Sequence, residues 1–187
     1  MDSNLEKKLT RCFICLEISR EAIDEIEEIQ KLLKKKNFFY GKFTEPETLH
    51  LTLKFLGEIS EEKIEEVKSK LGEITFKDFE VHLGEIGTFI NRFNAILWIK
   101  LNGKGLWELQ KQIDNKMNEL GFELEERFMS HITLARMKKI INRPEFLDYV
   151  KNVKTKPVKF KISEFILKRS ELKPEGPVYS DIEKYSV

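Results

Sequence analysis

Two short stretches of this 187-residue chain share one pattern. His50, Leu51, Thr52 and Leu53, in "LHLTLKFLGE", read as histidine, aliphatic, threonine, leucine. So do His131, Ile132, Thr133 and Leu134, in "SHITLAR". The two stretches use two of the chain's three histidines. On a strand, residues two apart share a face and lie about 7 Å apart. Each stretch therefore presents an imidazole beside a hydroxyl, with its aliphatic residues turned the other way.

That pairing suits acid–base chemistry at phosphorus. An imidazole titrates at about 6.5, so of two one can be neutral and the other protonated near neutral pH. In-line displacement needs a base on the attacking side and an acid on the leaving side. The threonine hydroxyls can hold the non-bridging oxygens between them. Arg136 is the nearest candidate to help neutralise a phosphodiester. Its parity is opposite to that of His131 on a regular strand, so it must reach round at the strand end.

Zinc fits these residues less well. Structural zinc sites use four ligands at short spacings, and neither motif has a second ligand on its own face. No nucleophile elbow points to a Ser-His-Asp enzyme. His82, in "FEVHLGEI", has no threonine two positions on and is expected to take no part. We expect no metal and no cofactor.

The motifs must be held by strands, and the pattern of the chain supplies them. Strands are predicted over about residues 11–18, 49–56, 76–86, 93–101, 127–136 and 158–168, with a last strand at the C-terminal end. Gly57 is read as the end of the first motif strand and "TFINRFN" as the link between the third and fourth strands. Helices are predicted over about 20–35, with Ser19 as N-cap, and over "SEEKIEEVKSKLGEI", with Gly72 as its C′ residue. A third runs over about 105–120, stopped by Gly121, and a short fourth lies in "NRPEFLDYVKNV". The order is β α β α β β α β α β β, and the motif strands occupy matching places in its two halves. This predicts an α+β fold of two duplicated lobes with a cleft between them, forming a single domain over residues 1–187.

Composition sets the remaining bounds. The chain is 41% hydrophobic and 35% charged, the balance of a globular protein. Its formal net charge of +1 gives no global field for nucleic acid, although 33 lysines and arginines leave room for a local basic cleft. Richness in Lys, Glu and Ile resembles thermophile proteomes. Cys12 and Cys15, three apart on a strand, face opposite sides and are read as buried, unpaired thiols. The polar opening "MDSNLEKKLTR" has no secretory pattern, and no apolar run approaches a bilayer span. The expectation is a reduced cytoplasmic protein, a monomer, without a membrane partner.

"HLTL" and "HITL" resemble the paired signature of the two-histidine (2H) phosphoesterase superfamily. With "RCFICLEI", "EPETLHLTLKFLGEI", "AILWIKL", "ERFMSHITLAR" and "KRSELKPEGPVYSDIEKY", nearly the whole chain is similar to the LigT-like RNA 2′,3′-cyclic phosphodiesterases, historically called 2′-5′ RNA ligases. The resemblance implies a bilobal, pseudo-twofold α+β fold in which antiparallel sheets, the motif strands among them, line a central water-filled cleft, with helices on the outside. It also implies metal-independent hydrolysis of a 2′,3′-cyclic phosphate, on an RNA end or a cyclic nucleotide, to a 2′-phosphomonoester. His50 would be the acid on O3′ and His131 the base on water, roles that the symmetry allows to be exchanged. Thr52, Thr133 and Arg136 match phosphate-binding positions. Phe13 and Phe128 match positions where a ring can stack on a base. Ser130 stands where the family often has proline, Phe43 where it often has tryptophan, and Asn94 and Ala95 where it often has a basic residue. Two other functions use the same cleft: 2′-5′ ligation by the reverse reaction, and a module that binds an AMP-like nucleotide without turnover.

Overall fold

The computed structural model describes residues 8–92, 95–174 and 176–187. Among them are nine strands and four α-helices. In chain order these are β1 (Thr10–Glu17), α1 (Arg20–Lys36), β2 (Phe39–Phe43), β3 (His50–Ile59), α2 (Glu61–Leu71), β4 (Phe79–Ile90) and β5 (Ala95–Asn102). There follow α3 (Lys104–Glu119), β6 (His131–Ile140), α4 (Arg143–Asn152), β7 (Lys159–Ile162), β8 (Glu164–Lys173) and β9 (Gly176–Ser186). The fold is mixed α+β, as expected.

The strands form one antiparallel sheet in the order β7-β4-β5-β6-β3-β1-β8-β9, with β2 also on β6. The two sheets predicted from the sequence are thus halves of one, joined between β3 and β6 at Leu51 and Ile132. The halves match. The burial of β3 and β6 alternates identically along their first nine positions: His and Thr half-buried, the next two residues after Thr buried, Phe55 or Arg136 exposed.

That pattern records a β-bulge in each motif strand. Along β6, Trp98 of β5 pairs Thr133, but the adjacent Leu97 pairs Ala135, which leaves Leu134 as the extra residue. Along β3, Cys15 pairs Thr52 and Ile14 pairs Lys54, which leaves Leu53. A second irregularity lies where Cys12 pairs Gly57 and Phe13 pairs Phe55. Gly57 takes φ +73°, a left-handed backbone that suits glycine, and so carries a bulge inside β3 rather than ending it.

Helix caps follow the sequence. The hydroxyls of Ser19 and Ser60 accept from the N–H of Ala22 and Lys63, and the Asn142 side chain accepts from the N–H of Glu145. Gly121 follows α3 with φ +89°, whereas Gly72 caps α2 in a right-handed conformation any residue could adopt. Ala22, Ile26, Ile29 and Leu33 of α1, and Leu106, Leu109, Ile113 and Met117 of α3, face one core with Leu51, Leu53, Ile132 and Leu134. Cys12 lies in this core and Cys15 in a small cluster on the opposite face with Phe13 and Ile166. Both thiols are free and buried, and burial pushes them up to about 11 and about 12.

Each long helix is tied to the motif strand of the other half. α1 follows β1, yet Gln30 Nε2 donates to the bulge carbonyl of Leu134 in β6 (3.0 Å) and to Thr44 O (2.9 Å). α3 follows β5, yet Asp114 Oδ1 lies 2.5 Å from the ammonium of Lys54 in β3. Lys54 also donates to Glu123 O, and Asp114 Oδ2 accepts from Glu125 N (2.8 Å). The side chains of this ion pair are only 7% and 8% exposed.

Several elements depart from the sequence reading. "FFYGKF" forms β2, a strand with no predicted counterpart, placed on β6 after β3 diverges from it. Residues 158–168 are not one strand: β7 pairs β4 at one end of the sheet and β8 pairs β1 in the other half. No straight strand can do both, and the chain turns at Ser163. β6 begins at His131, not near 127, and β4 runs on through Ile90. Phe93 and Asn94, predicted to open the strand that is β5, lie outside the described residues.

Because the Lys54–Asp114 pair is buried, removing one member strands a charge. Asp114→Ala is expected to lose about 3–5 kcal/mol in urea unfolding. The double change Lys54→Met with Asp114→Leu is expected to lose less than the single one.

Candidate active site

The bridge between Leu51 and Ile132 turns both aliphatic residues into the core and both motifs toward the opposite face. In that register His50 lies across from Thr133, and Thr52 across from His131. The two histidines then occupy one diagonal of a four-residue square and the threonines the other. Such diagonal neighbours sit about 7–8 Å apart at Cα, which leaves room for a tetrahedral phosphorus centre between two imidazoles.

Both rings are held by the same device. His50 Nδ1 is 2.7 Å from Thr48 O, and His131 Nδ1 is 2.8 Å from Met129 O. A carbonyl only accepts, so each Nδ1 carries a hydrogen, and Nε2 is the nitrogen left to exchange a proton. His50 Nε2 lies 3.1 Å from Thr52 Oγ1. In neutral His50 that hydroxyl donates to Nε2, and it is the first group a phosphate oxygen would compete for.

The surroundings of the two rings differ. The His50 ring lies 5.0 Å from Phe13 and 5.3 Å from Tyr179 of β9, the latter edge-on. The His131 ring meets Phe89 of β4 edge-on at 5.2 Å, and Phe89 leans on Trp98 at 5.3 Å. The Trp98 indole covers Gly87, where a Cβ would fall 2.3 Å from the ring. Burial lowers the pKa of His50; the Thr48 carbonyl opposes this, and the cations Lys168 and Arg136 add to it. Lys168 is itself bridged to Glu17 (2.7 Å) and Asp181 (2.6 Å).

Arg136 reaches this face without bending round the strand end. The bulge at Leu134 reverses the parity of β6, so Ala135 and Met137 turn inward and Arg136 outward on the side of His131 and Thr133. Its field on His50 and Tyr179 agrees. Phe13 is 3% exposed, with its ring against His50 and Tyr179, so it supports the imidazole and offers no open ring face. The open ring on that side is Phe55, 71% exposed and the pseudo-symmetric counterpart of Arg136. Phe128 packs edge-on against Trp107 of α3, at 5.2 Å, and on the helix-side core. His82 on β4 pairs in register with Asn102 and Lys159.

The departures from the family pattern have local explanations. The Ser130 hydroxyl donates to Leu101 O at 2.7 Å, pinning the residue before His131 to β5. Phe43 packs at a tilt against Phe39, with ring centroids 5.2 Å apart, under the Lys34 ammonium. Phe55, Phe89, Trp98 and Tyr179 were missed by sequence reasoning. Alternation could have put Phe55 on the cleft side only if the bulge had been recognised, and the others come from strands distant in sequence.

A sheet folded on a paired His-x-Thr motif defines a class, and the comparisons identify it. The LigT-like phosphoesterase model matches residues 16–98 and 100–179, one motif in each stretch, and the chain belongs to that family. It is 33% identical to the RNA 2′,3′-cyclic phosphodiesterase of Methanocaldococcus jannaschii, over 94% of this chain and 99% of that one. The RNA 2′,3′-cyclic phosphodiesterase of Archaeoglobus fulgidus is also 33% identical, over 92% and 97%. A solved structure from Thermus thermophilus matches with a TM-score of 0.79 at 29% identity, over 94% of this chain and 97% of that one. Escherichia coli LigT in apo form shares the fold at a TM-score of 0.78 and 21% identity, over 96% and 98%.

The low His50 pKa can be read directly. In an NMR titration the His50 ring is expected to titrate below the ordinary value of about 6.5. Tyr179→Ala, which readmits water, is expected to raise it toward that value. A wild-type His50 titrating at or above about 6.5 contradicts the burial argument.

Proposed function

We propose that this protein hydrolyses 2′,3′-cyclic phosphate ends of RNA to 2′-phosphomonoesters. The observation that carries the reading is the diagonal placement of two histidines, each fixed through Nδ1 to the carbonyl two residues before it. The names of the relatives at 33% identity support the substrate class.

His131 Nε2 takes a proton from water as the water oxygen bonds to phosphorus. The P–O3′ bond breaks, and His50 Nε2 gives its proton to O3′. Thr52, Thr133 and Arg136 hold the non-bridging oxygens and offset their charge. Burial biases His50 toward the neutral form, so the anionic phosphodiester, by raising its pKa, helps to charge the acid it needs.

The chemistry requires no metal. Among the described residues no three His, Cys, Asp or Glu side chains come together as a metal ligand set. The site is complete within one chain, so we propose a monomer acting as a single domain. Free, buried thiols suit a reducing compartment such as the cytoplasm. Among the described residues no helix is long and apolar enough to cross a membrane.

His50→Ala and His131→Ala are each expected to lower kcat on a cyclic-phosphate RNA by at least about 10². The double variant should be little worse, because groups acting as a unit are not additive. Circular dichroism must show folded variants, and phosphorus NMR must place the product phosphate on O2′. kcat/KM should be bell-shaped in pH, with limbs belonging to the pair. The acid limb should lie below about 6.5, because at low pH both rings are protonated and no base remains. Near-wild-type turnover by either single variant would refute the two-histidine mechanism.

Turnover is also expected to persist in excess EDTA. Loss of activity on chelation, restored by zinc, would show that a metal takes part.

A further inference from the structure

We propose that β6 and β2 carry a track for the RNA strand leading to the cyclic phosphate, so that the preferred substrate is an oligonucleotide end rather than a cyclic mononucleotide. The proposal rests on the cyclic phosphodiesterase reading above and names the substrate length that the cleft is built for.

The track begins at Arg136 and runs away from the histidines. Gly41 pairs Met137, but Tyr40 pairs Lys139, so β6 has a further bulge at Lys138. Met137 is buried and Ile140 packs on the core, while Lys138 and Lys139 between them are both exposed. A bulge places its two residues on one side, so both lysines share the face of Arg136. Opposite Lys139 stands Tyr40, 59% exposed, on that same face of β2. Lys42 stands in register with Arg136.

Two observations bear on this ladder. First, among the described residues Arg136, Lys138 and Lys139 make no ion pair. The lysines of α2, by contrast, are bound to glutamates: Lys63 to Glu66, Lys68 to Glu65, Lys70 to Glu119. In a chain of net charge +1, unneutralised cations gathered on one strand mark a place for an external anion. Second, the pseudo-twofold is broken here. The positions of β3 that match Arg136, Lys138 and Lys139 are Phe55, Gly57 and Glu58. Backbone geometry is duplicated while the basic charge is not, which gives the cleft a direction. Cations spaced along one strand face beside an exposed aromatic ring suit a single-stranded nucleic acid, with phosphates on the lysines and a base on the ring.

The test compares binding and turnover. The binding probe is a single-stranded RNA of about twelve nucleotides, ended by a 2′-phosphate and labelled at its 5′ end; it is the product and is not turned over. The turnover probe is 2′,3′-cyclic AMP. Lys138→Gln with Lys139→Gln is expected to weaken oligonucleotide binding at least about fivefold at low salt, and to flatten the plot of log Kd against log salt by about 1.4, roughly 0.7 for each phosphate released. Tyr40→Ala is expected to weaken it about tenfold. Hydrolysis of cyclic AMP should stay within about twofold of wild type, since these residues lie beyond the phosphate that reacts. Unchanged oligonucleotide affinity and salt slope in the lysine double variant would overturn the track. So would an equal loss in cyclic AMP turnover, which would mark a diffuse field on the site. If the wild type hydrolyses neither cyclic AMP nor a cyclic-phosphate RNA, the cyclic phosphodiesterase reading fails, and the binding titration still decides the track.

Discussion

On a regular strand His131 and Arg136 point to opposite faces, as do His50 and Phe55. One extra residue in each strand, Leu134 in β6 and Leu53 in β3, removes that restriction. The bulge keeps the His-x-Thr pair in register with its neighbour strand and reverses the parity of the residues beyond it. The imidazole, the hydroxyl and the residue five beyond the histidine then gather on one face, while Leu51, Leu53, Ile132 and Leu134 stay in the core. A bulge also frees backbone groups from the ladder, and a buried carbonyl without a donor is costly. Gln30 and the Thr44 N–H (2.9 Å) both meet the Leu134 carbonyl from the other half of the molecule. The geometry of the cleft and the docking of α1 are thus two consequences of one local irregularity.

The two halves tie a long helix to the facing motif strand with different chemistry. Gln30 is a neutral donor to two carbonyls. At the matching place in the other half, Asp114 and Lys54 form an ion pair that also gathers Glu123 O and Glu125 N. These last two lie in the segment leading to Met129 and His131, so the buried pair steadies the approach to the second histidine. The corresponding anchor for the first histidine is Thr44 O, held by Gln30 ahead of Thr48. Each imidazole is therefore supported through its preceding loop by the long helix of its own half, a helix that is in turn tied to the motif strand of the other half.

Much of this was legible in the residues. Alternation around His50 and His131 gave the faces of both strands, the helical spacing of Ile26, Ile29 and Leu33 gave α1, and Ser19 gave its cap. The repeat gave the duplicated α+β plan. The features that stayed hidden depended on contacts far apart in sequence. Consecutive apolar residues Leu134 and Ala135 are the trace of the β6 bulge, but in β3 that trace is masked, because the residue turned inward there is a lysine whose partner lies on α3. β2 could not be read, since a five-residue strand containing Gly41 has little propensity of its own and exists by virtue of its neighbour. The division of residues 158–168 into β7 and β8 reflects which sheet edges stand free, and that is a property of the assembled fold. The aromatic rings around the histidines come from β1, β4, β5 and β9, and only the curled sheet brings them together.

The exchange of helices bears on how such a duplicated chain can be assembled. One repeat alone would bring a motif strand whose bulge carbonyl lacks its donor, and a helix whose polar residue lacks its target. It would also bring a single imidazole. Two copies of one repeat could make good all three lacks at once, by trading helices about a twofold axis that passes between the histidines. Such a pair would own a single reaction centre, and its occupancy would depend on how much of the chain was present. Fusion of the repeats makes that encounter intramolecular and leaves the centre intact at any dilution. It also releases the two halves from identity, so that one can carry Phe55 and Glu58 where the other carries Arg136 and Lys139.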